Sequence, residues 1–316
     1  MRPLALALPC LAAAACASPP ELDPHYRPSA SALEIVAVLQ RHVPDDTYRF
    51  EPARDFTDRN VYRSSLLRLE NLEALYPDAL RAGHLDAAIA FAKARALERL
   101  RAYDLAAEAY GLAAEREAEL AAKAQPAAAF CDELAEGIAV PGPLAPADPV
   151  DGVLAVPDPE TVLADFETRL GRLEALALRA PEPHHVFILQ EEIEHLDLER
   201  ARYFVRLRDV VPEGDLRAVG ELQRVALRHG ASKHAARHQL ALADLYVDLS
   251  VEYVASHPPE GLHFDPAHFR DLVDSGARLY EIVSARDGRP EKIEASRRLE
   301  AFLAFAVSVD RDRFAP

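Results

Sequence analysis

The chain contains no tryptophan, one methionine and 12 glycines in 316 residues, and only Lys93, Lys123, Lys233 and Lys292 among its 36 basic residues are lysine. So few glycines leave no glycine-rich loop of the kind that cradles phosphate, and no Gly-x-Ser-x-Gly elbow is present. Positive charge is scarce: 52 acids outweigh the bases to give a net charge of -16, which sets nucleic-acid binding and a basic membrane-binding face aside. The dominance of Arg over Lys fits a GC-rich genome and carries no functional reading. No apolar run reaches the roughly 20 residues a membrane span needs, the longest being Leu4 to Ala15. What is abundant is Ala, Leu, Glu and Arg. These are strong helix formers, so the composition itself points to an all-α protein of about two domains.

Cysteine is used sparingly, at Cys10, Cys16 and Cys131. The first two sit in or beside the apolar run, which follows Met1-Arg2-Pro3 and has the length of a signal-peptide core. At its end, Ala13-Ala14-Ala15-Cys16 resembles the lipobox of bacterial lipoproteins, in which small residues precede a cysteine that is lipidated and then becomes the mature N-terminus. The family usually carries Leu where Ala13 stands. This resemblance implies a signal peptide over 1–15, acyl chains on Cys16 holding the protein to a lipid bilayer, and a flexible tether over 16–30. Ala17 replaces the Asp that commonly retains such proteins in the inner membrane, which implies an outer-membrane location in the cell envelope. The alternative is an ordinary secreted protein cut after Ala17, since Ala15-Cys16-Ala17 also satisfies the small-x-small pattern. Either way Cys131 is left alone, without an intramolecular disulfide and as a buried small hydrophobe.

Helical periodicity fills most of the remainder. Ser31 reads as the cap of a first helix ending before Pro44, and Leu66, Leu69, Leu72 and Leu75 mark a second that stops at Pro77. Segments at about 85–100 and 103–123, separated by two or three residues, predict a helical hairpin. Around that turn Tyr103, Ala106, Tyr110 and Ala113 resemble the second helix of a tetratricopeptide repeat, with a fainter echo in Gly83, Ala88 and Phe91. The resemblance implies close helix approach at Ala106, an aromatic at Tyr110 packed between repeats, and a partner-binding groove around Tyr103, Ala106 and Tyr110. It departs from the family where Ala90 replaces its Trp and Arg101 its turn Gly, and no 34-residue period is sustained. Helical hairpins in a solenoid-like arrangement and an irregular bundle both remain open.

Prolines 126, 141, 143, 146, 149, 157 and 159 predict a linker or loop over 126–159, dividing an N-terminal helical unit (31–125) from a C-terminal one (160–316). The second unit restarts at Asp158-Pro159. It then runs through helices ending near Arg208 and at Gly230, where a left-handed stop is expected, and through further helices opened by Ser232, Asp265 and Pro290.

Candidate chemistry is thin. Glu192 and His195 have the Glu-x-x-His spacing of a helical metal ligand pair, but no second such pair accompanies them. His234 and His238 are four apart but lack the Glu of a zinc protease. His257, Glu260, His263 and His268 gather around a Pro-Pro turn. For each, the ordinary reading of a solvated face or capped turn outweighs a metal site. The sequence therefore predicts no enzyme and no cofactor. It predicts a lipid-anchored helical scaffold that binds another protein. The alternative is a metal-binding bundle or enzyme centred on Glu192 and His195 or on the His257–His268 loop.

Overall fold

Proline opens five of the helices, because its missing N–H is one that a helix start leaves unbonded anyway. In the computed structural model, which describes residues 26–43, 48–138 and 159–313, these are α1 (Pro28–His42), α3 (Pro77–Ala82), α7 (Pro159–Ala177), α8 (Pro183–Leu207) and α11 (Pro266–Ser284). Interleaved with them are α2 (Val61–Leu75), α4 (Asp86–Arg99), α5 (Tyr103–Arg116), α6 (Ala118–Ile138), α9 (Gly214–Arg228), α10 (Ala235–Ser256) and α12 (Glu291–Arg313). Asn60 caps α2 by accepting from the Arg63 N–H, and Asp265 caps α11 by accepting from those of Ala267 and His268. The protein is all-α. Among the described residues the one β-type pairing is an isolated bridge between Arg54 and Asn60. No described helix is long and apolar enough to cross a membrane. Cys16, the leader and most of the Pro-rich stretch lie outside the described residues.

Each helix packs chiefly on its neighbours in sequence, so the apolar core passes along the chain in overlapping clusters. Ile35, Leu39, Tyr62, Leu69 and Ile89 join α1, α2 and α4. Tyr110, Phe130, Leu134, Phe166, Leu189 and Phe204 join α4 through α8. Leu222, Val225 and Leu242 join α9 to α10, and Phe269, Tyr280, Val283 and Phe302 join α11 and α12 to α10. Each such side chain contributes about 1.5–3 kcal/mol when fully buried. Gly276 is required where α11 meets its neighbours, since a Cβ there would lie 2.9 Å from Phe302 and 3.3 Å from Tyr246.

Several sequence expectations are corrected. The loop expected from Pro126 begins later, because α6 runs through Pro126 to Ile138. Pro126 lies on the exposed face, where losing one backbone bond is offset by burying Ala127, Phe130, Cys131 and Leu134 on the other. The same cluster takes side chains from α4, α5 and α6 and from α7 and α8. The segment expected as one helix over 103–123 breaks at Glu117, whose extended backbone folds α6 back over α5. Ser31 lies inside α1, whose start at Pro28 shortens the expected tether. Gly230 is no left-handed stop: α9 ends at a cap on His229, and the one described glycine with positive φ is Gly288.

The left-handed positions fall elsewhere. His84 after α3 (φ 54°) and Arg101 after α4 (φ 63°) each close a pair of turn bonds, the following residue bonding five back and the residue itself three back. Glycine would suit both backbones better. We expect His84→Gly, at an exposed site, to raise the unfolding free energy by roughly 0.5–1 kcal/mol. Arg101→Gly should instead lower it, because the Arg101 side chain is engaged across the molecule. Chemical denaturation of the two variants checks the opposite signs.

Candidate functional site

Leu189, Glu192, Leu196 and Tyr203 fall on one stripe of α8, and a buried stripe interrupted by an acid has to find that acid a partner. Glu192, 3% exposed, finds two. Arg101 donates from Nε at 2.7 Å and from Nη2 at 2.8 Å to its two oxygens, and the Tyr103 hydroxyl donates at 2.6 Å. Burial alone raises this carboxyl, but neighbouring His195, at 3.8 Å, together with Arg101 and Tyr103, holds it down at about 2. Three further acids of α8 are paired in the same manner. Glu191 accepts from Arg99 at 3.0 Å and from Lys233 at 2.8 Å. Glu194 accepts from the Ser232 hydroxyl at 2.8 Å and lies 2.5 Å from His238 Nε2. Asp197 accepts from Arg224 at 2.6 Å and lies 2.8 Å from His229 Nε2, while the Tyr48 hydroxyl lies 2.9 Å from the other nitrogen of that ring. One turn and a half of α8 thus faces cations and hydroxyls from α4 and the start of α5 on one side and from α9 and α10 on the other.

A second buried carboxylate lies beside the first turn of α8. Glu98 of α4, 1% exposed, accepts from the Tyr110 hydroxyl at 2.7 Å, and His184 Nε2 lies 2.7 Å from its Oε1. His185 Nε2 lies 3.4 Å from its Oε2. Burial raises the Glu98 carboxyl, and the two histidines pull it well below the carboxylate range. Glu98, His184 and His185 are the grouping of metal-ligating side chains found among the described residues, their ligand atoms within 4.8 Å of one another. Their hydrogen bonding does not fit a cation. His185 Nδ1 accepts from the Glu182 N–H at 3.2 Å, so the single proton of its neutral ring is on Nε2, the atom a metal would need. His184 is engaged on both ring nitrogens: Nε2 lies 2.7 Å from Glu98, Arg95 Nη1 lies 3.0 Å from Nδ1 and 2.6 Å from Nε2, and burial lowers its pKa. Arg95 also fixes a positive charge 3.9 Å from Glu98. Cys131, with Sγ 4.0 Å from Glu98, is buried and its thiol is pushed up by burial and by that carboxylate, which makes it inert.

The residues singled out from sequence take different places from those expected. Tyr103, Ala106 and Tyr110 are all buried, so they line no groove; the two phenols serve Glu192 and Glu98, and the Tyr110 ring meets Phe91 edge-on at 5.2 Å. Glu192 and His195 share a face, but Arg101 and Tyr103 occupy the carboxylate a metal would use. His238 is spent on Glu194, and His234 lies 3.7 Å from Glu51. In the Pro-Pro loop, His257 stacks on Tyr253 and His268 meets the same ring edge-on, while His263 and Glu260 are exposed, a packed turn rather than a ligand set. Sequence reading missed Glu98, His184, His185, Glu194, Asp197 and His229, whose partners lie about 30 to 90 residues away; the available signal was an acid at an apolar register position.

Two openings accompany these clusters. A cleft of about 390 Å³ lies between α1, α4, α6 and the start of α8, with Arg95 and His184 in its wall. A groove of about 530 Å³ runs between α9, α10 and α11, walled by Leu216, Val219, Leu249 and Leu272. Neither the models of known protein families nor the curated proteins compared with the chain give a match.

The pKa directions set a sign. Glu98, Glu192, Glu194, Asp197 and His184 all have lowered values in the folded protein, so on acidification the unfolded chain takes up protons first and stability falls. The melting temperature should begin to drop below about pH 6.5, where His184 titrates when unfolded, and drop steeply below about 4.5, where the carboxylates do. At pH 7, Glu192→Ala should cost about 3 kcal/mol, against less than about 0.5 for exposed Glu300→Ala; urea titration measures both.

Proposed function

We propose that the chain is a lipid-anchored adaptor of the bacterial cell envelope, held at the outer membrane by acyl chains on Cys16 and docking another protein on its helical body. In this reading it is no enzyme and uses no cofactor. The anchor rests on the apolar run and the small residues before Cys16. Several acyl chains give stable attachment without a basic face, each buried methylene contributing about 0.8 kcal/mol.

The observation that carries the docking half is the groove between α9, α10 and α11. Leu216, 69% exposed, stands at its edge beside Val219, Leu249 and Leu272, and Tyr246 and Tyr253 add amphipathic rings. Exposed apolar side chains brought together in a concavity favour a partner that can cover them. Asp215 and Glu252 line the same groove, with Arg208 bridging them at one end. In a protein of net charge -16, that setting suits an apolar segment with basic flanks. Two of the helices that wall the groove, α9 and α10, are tied from behind to the paired acids of α8, which favours a preformed surface to which the partner adapts.

Two measurements in cells test this. Cys16→Ser should move the protein from the membrane fraction to the soluble fraction, and continued membrane association would refute the anchor. A photo-crosslinking residue at Leu216 should give one discrete protein adduct that is missing when the crosslinker stands at exposed Leu178. No adduct, or the same adducts from both positions, would refute the groove.

A further inference from the structure

The cleft between α1, α4, α6 and α8 is mixed in character. Val36 and Leu39 of α1, Phe91 of α4 and Leu120 of α6 supply apolar lining, and Arg95, Lys123 and the start of α8 supply polar lining. Its volume of about 390 Å³ is that of a small-molecule site and too small for a folded peptide segment.

The polar lining is built for negative charge. Arg95 is held in place from three sides: Nη2 donates to Glu182, Nη1 donates to His184, and the guanidinium lies 5.1 Å from the centre of the Phe91 ring. A guanidinium has five N–H donors, more than these bonds use. Lys123, which also lines the cleft, has no acid within ion-pair distance among the described residues. Glu182 is the one acid lining the cleft. Glu98 lies behind His184, its oxygens already taken by Tyr110 and that histidine. The first turn of α8, a helix of 25 residues, adds the positive end of its dipole beside His184. In a strongly acidic protein, two cations, Arg95 and Lys123, line a space whose other walls are apolar apart from Gln40, Glu182 and His184.

We propose that this cleft binds a small amphipathic carboxylate, its chain along Val36, Leu39, Phe91 and Leu120 and its head group between Arg95 and Lys123. The network behind the cleft gives the site its rigidity. Glu98 fixes His184, His184 and Glu182 fix Arg95, and the guanidinium is presented with little rotamer freedom left to lose on binding. This site is separate from the α9–α11 groove, and its test is independent of it.

Octanoate serves as the probe, with 1-octanol as its uncharged counterpart, titrated calorimetrically into the purified chain. Octanoate should bind one per chain and raise the melting temperature, with 1-octanol at least tenfold weaker. Lys123→Glu, at an exposed position, should weaken octanoate at least tenfold and leave the melting temperature of the ligand-free protein unchanged. Ala88→Phe fills the cleft from α4 and should abolish binding of both compounds while the protein stays folded. No octanoate binding at millimolar concentration, equal affinity for the alcohol, or unchanged octanoate affinity in Lys123→Glu or Ala88→Phe would each overturn the proposal.

Discussion

The structure depends on one constraint, that four acids within seven residues of α8, Glu191, Glu192, Glu194 and Asp197, lie where water is largely excluded and must all be paired. An unpaired buried carboxylate costs several kcal/mol, so the chain has to bring donors to α8 from wherever they are encoded. Those donors are far apart in sequence: Arg99, Arg101 and Tyr103 precede α8 by about 90 residues, and Arg224, His229, Ser232, Lys233 and His238 follow it by about 30 to 45. Glu191 takes a partner from each group. Replacing such pairs with apolar residues of equal volume would not weaken the fold, but losing one partner does. Their contribution is to fix which helices meet and in what register.

Other features follow from that meeting. The Tyr48 hydroxyl closes the chain running through His229 to Asp197, and the Lys233 N–H bonds to the Tyr48 carbonyl at 2.8 Å, so Tyr48, ahead of α2, is held against the residues between α9 and α10. Arg101 accepts a left-handed backbone because its guanidinium serves Glu192. Helices anchored in this way can leave their outer faces free. The α9–α11 groove lies outside the paired network of α8, and the α1–α4–α6–α8 cleft takes Arg95, Glu182 and His184 from the second network, around Glu98.

Much of the fold was legible in the sequence. Proline at a first turn, an Asp cap before it at α11, and leucine stripes at helical spacing are local signals, and they place most of the helices within a few residues, α3 and α6 excepted. Pro126 misled because the cost of a proline within a helix depends on which face it occupies, and that is settled by the burial of Phe130 and Leu134. Glu192 was visible as unusual, but it was read beside His195 at three residues' distance rather than beside Arg101 and Tyr103. The repeat-like pattern implies that Tyr110 packs between helices and that Tyr103 and Tyr110 line a groove, whereas both are buried. Their hydroxyls explain why tyrosine rather than phenylalanine stands there: each satisfies a buried carboxylate on another helix. Pairings of that range leave no trace in local periodicity. The one hint is an acid at a core position, as with Ala90, Ala94 and Glu98 along α4.

If the acids of α8 join the helices before it to those after it, the described helices form one cooperative unit. Differential scanning calorimetry of the whole chain at neutral pH tests this most directly. A single transition whose calorimetric and van't Hoff enthalpies agree is the expected result. Two resolved transitions, or a calorimetric enthalpy well above the van't Hoff value, would mean that the two groups of helices unfold independently and that α8 does not bind them together.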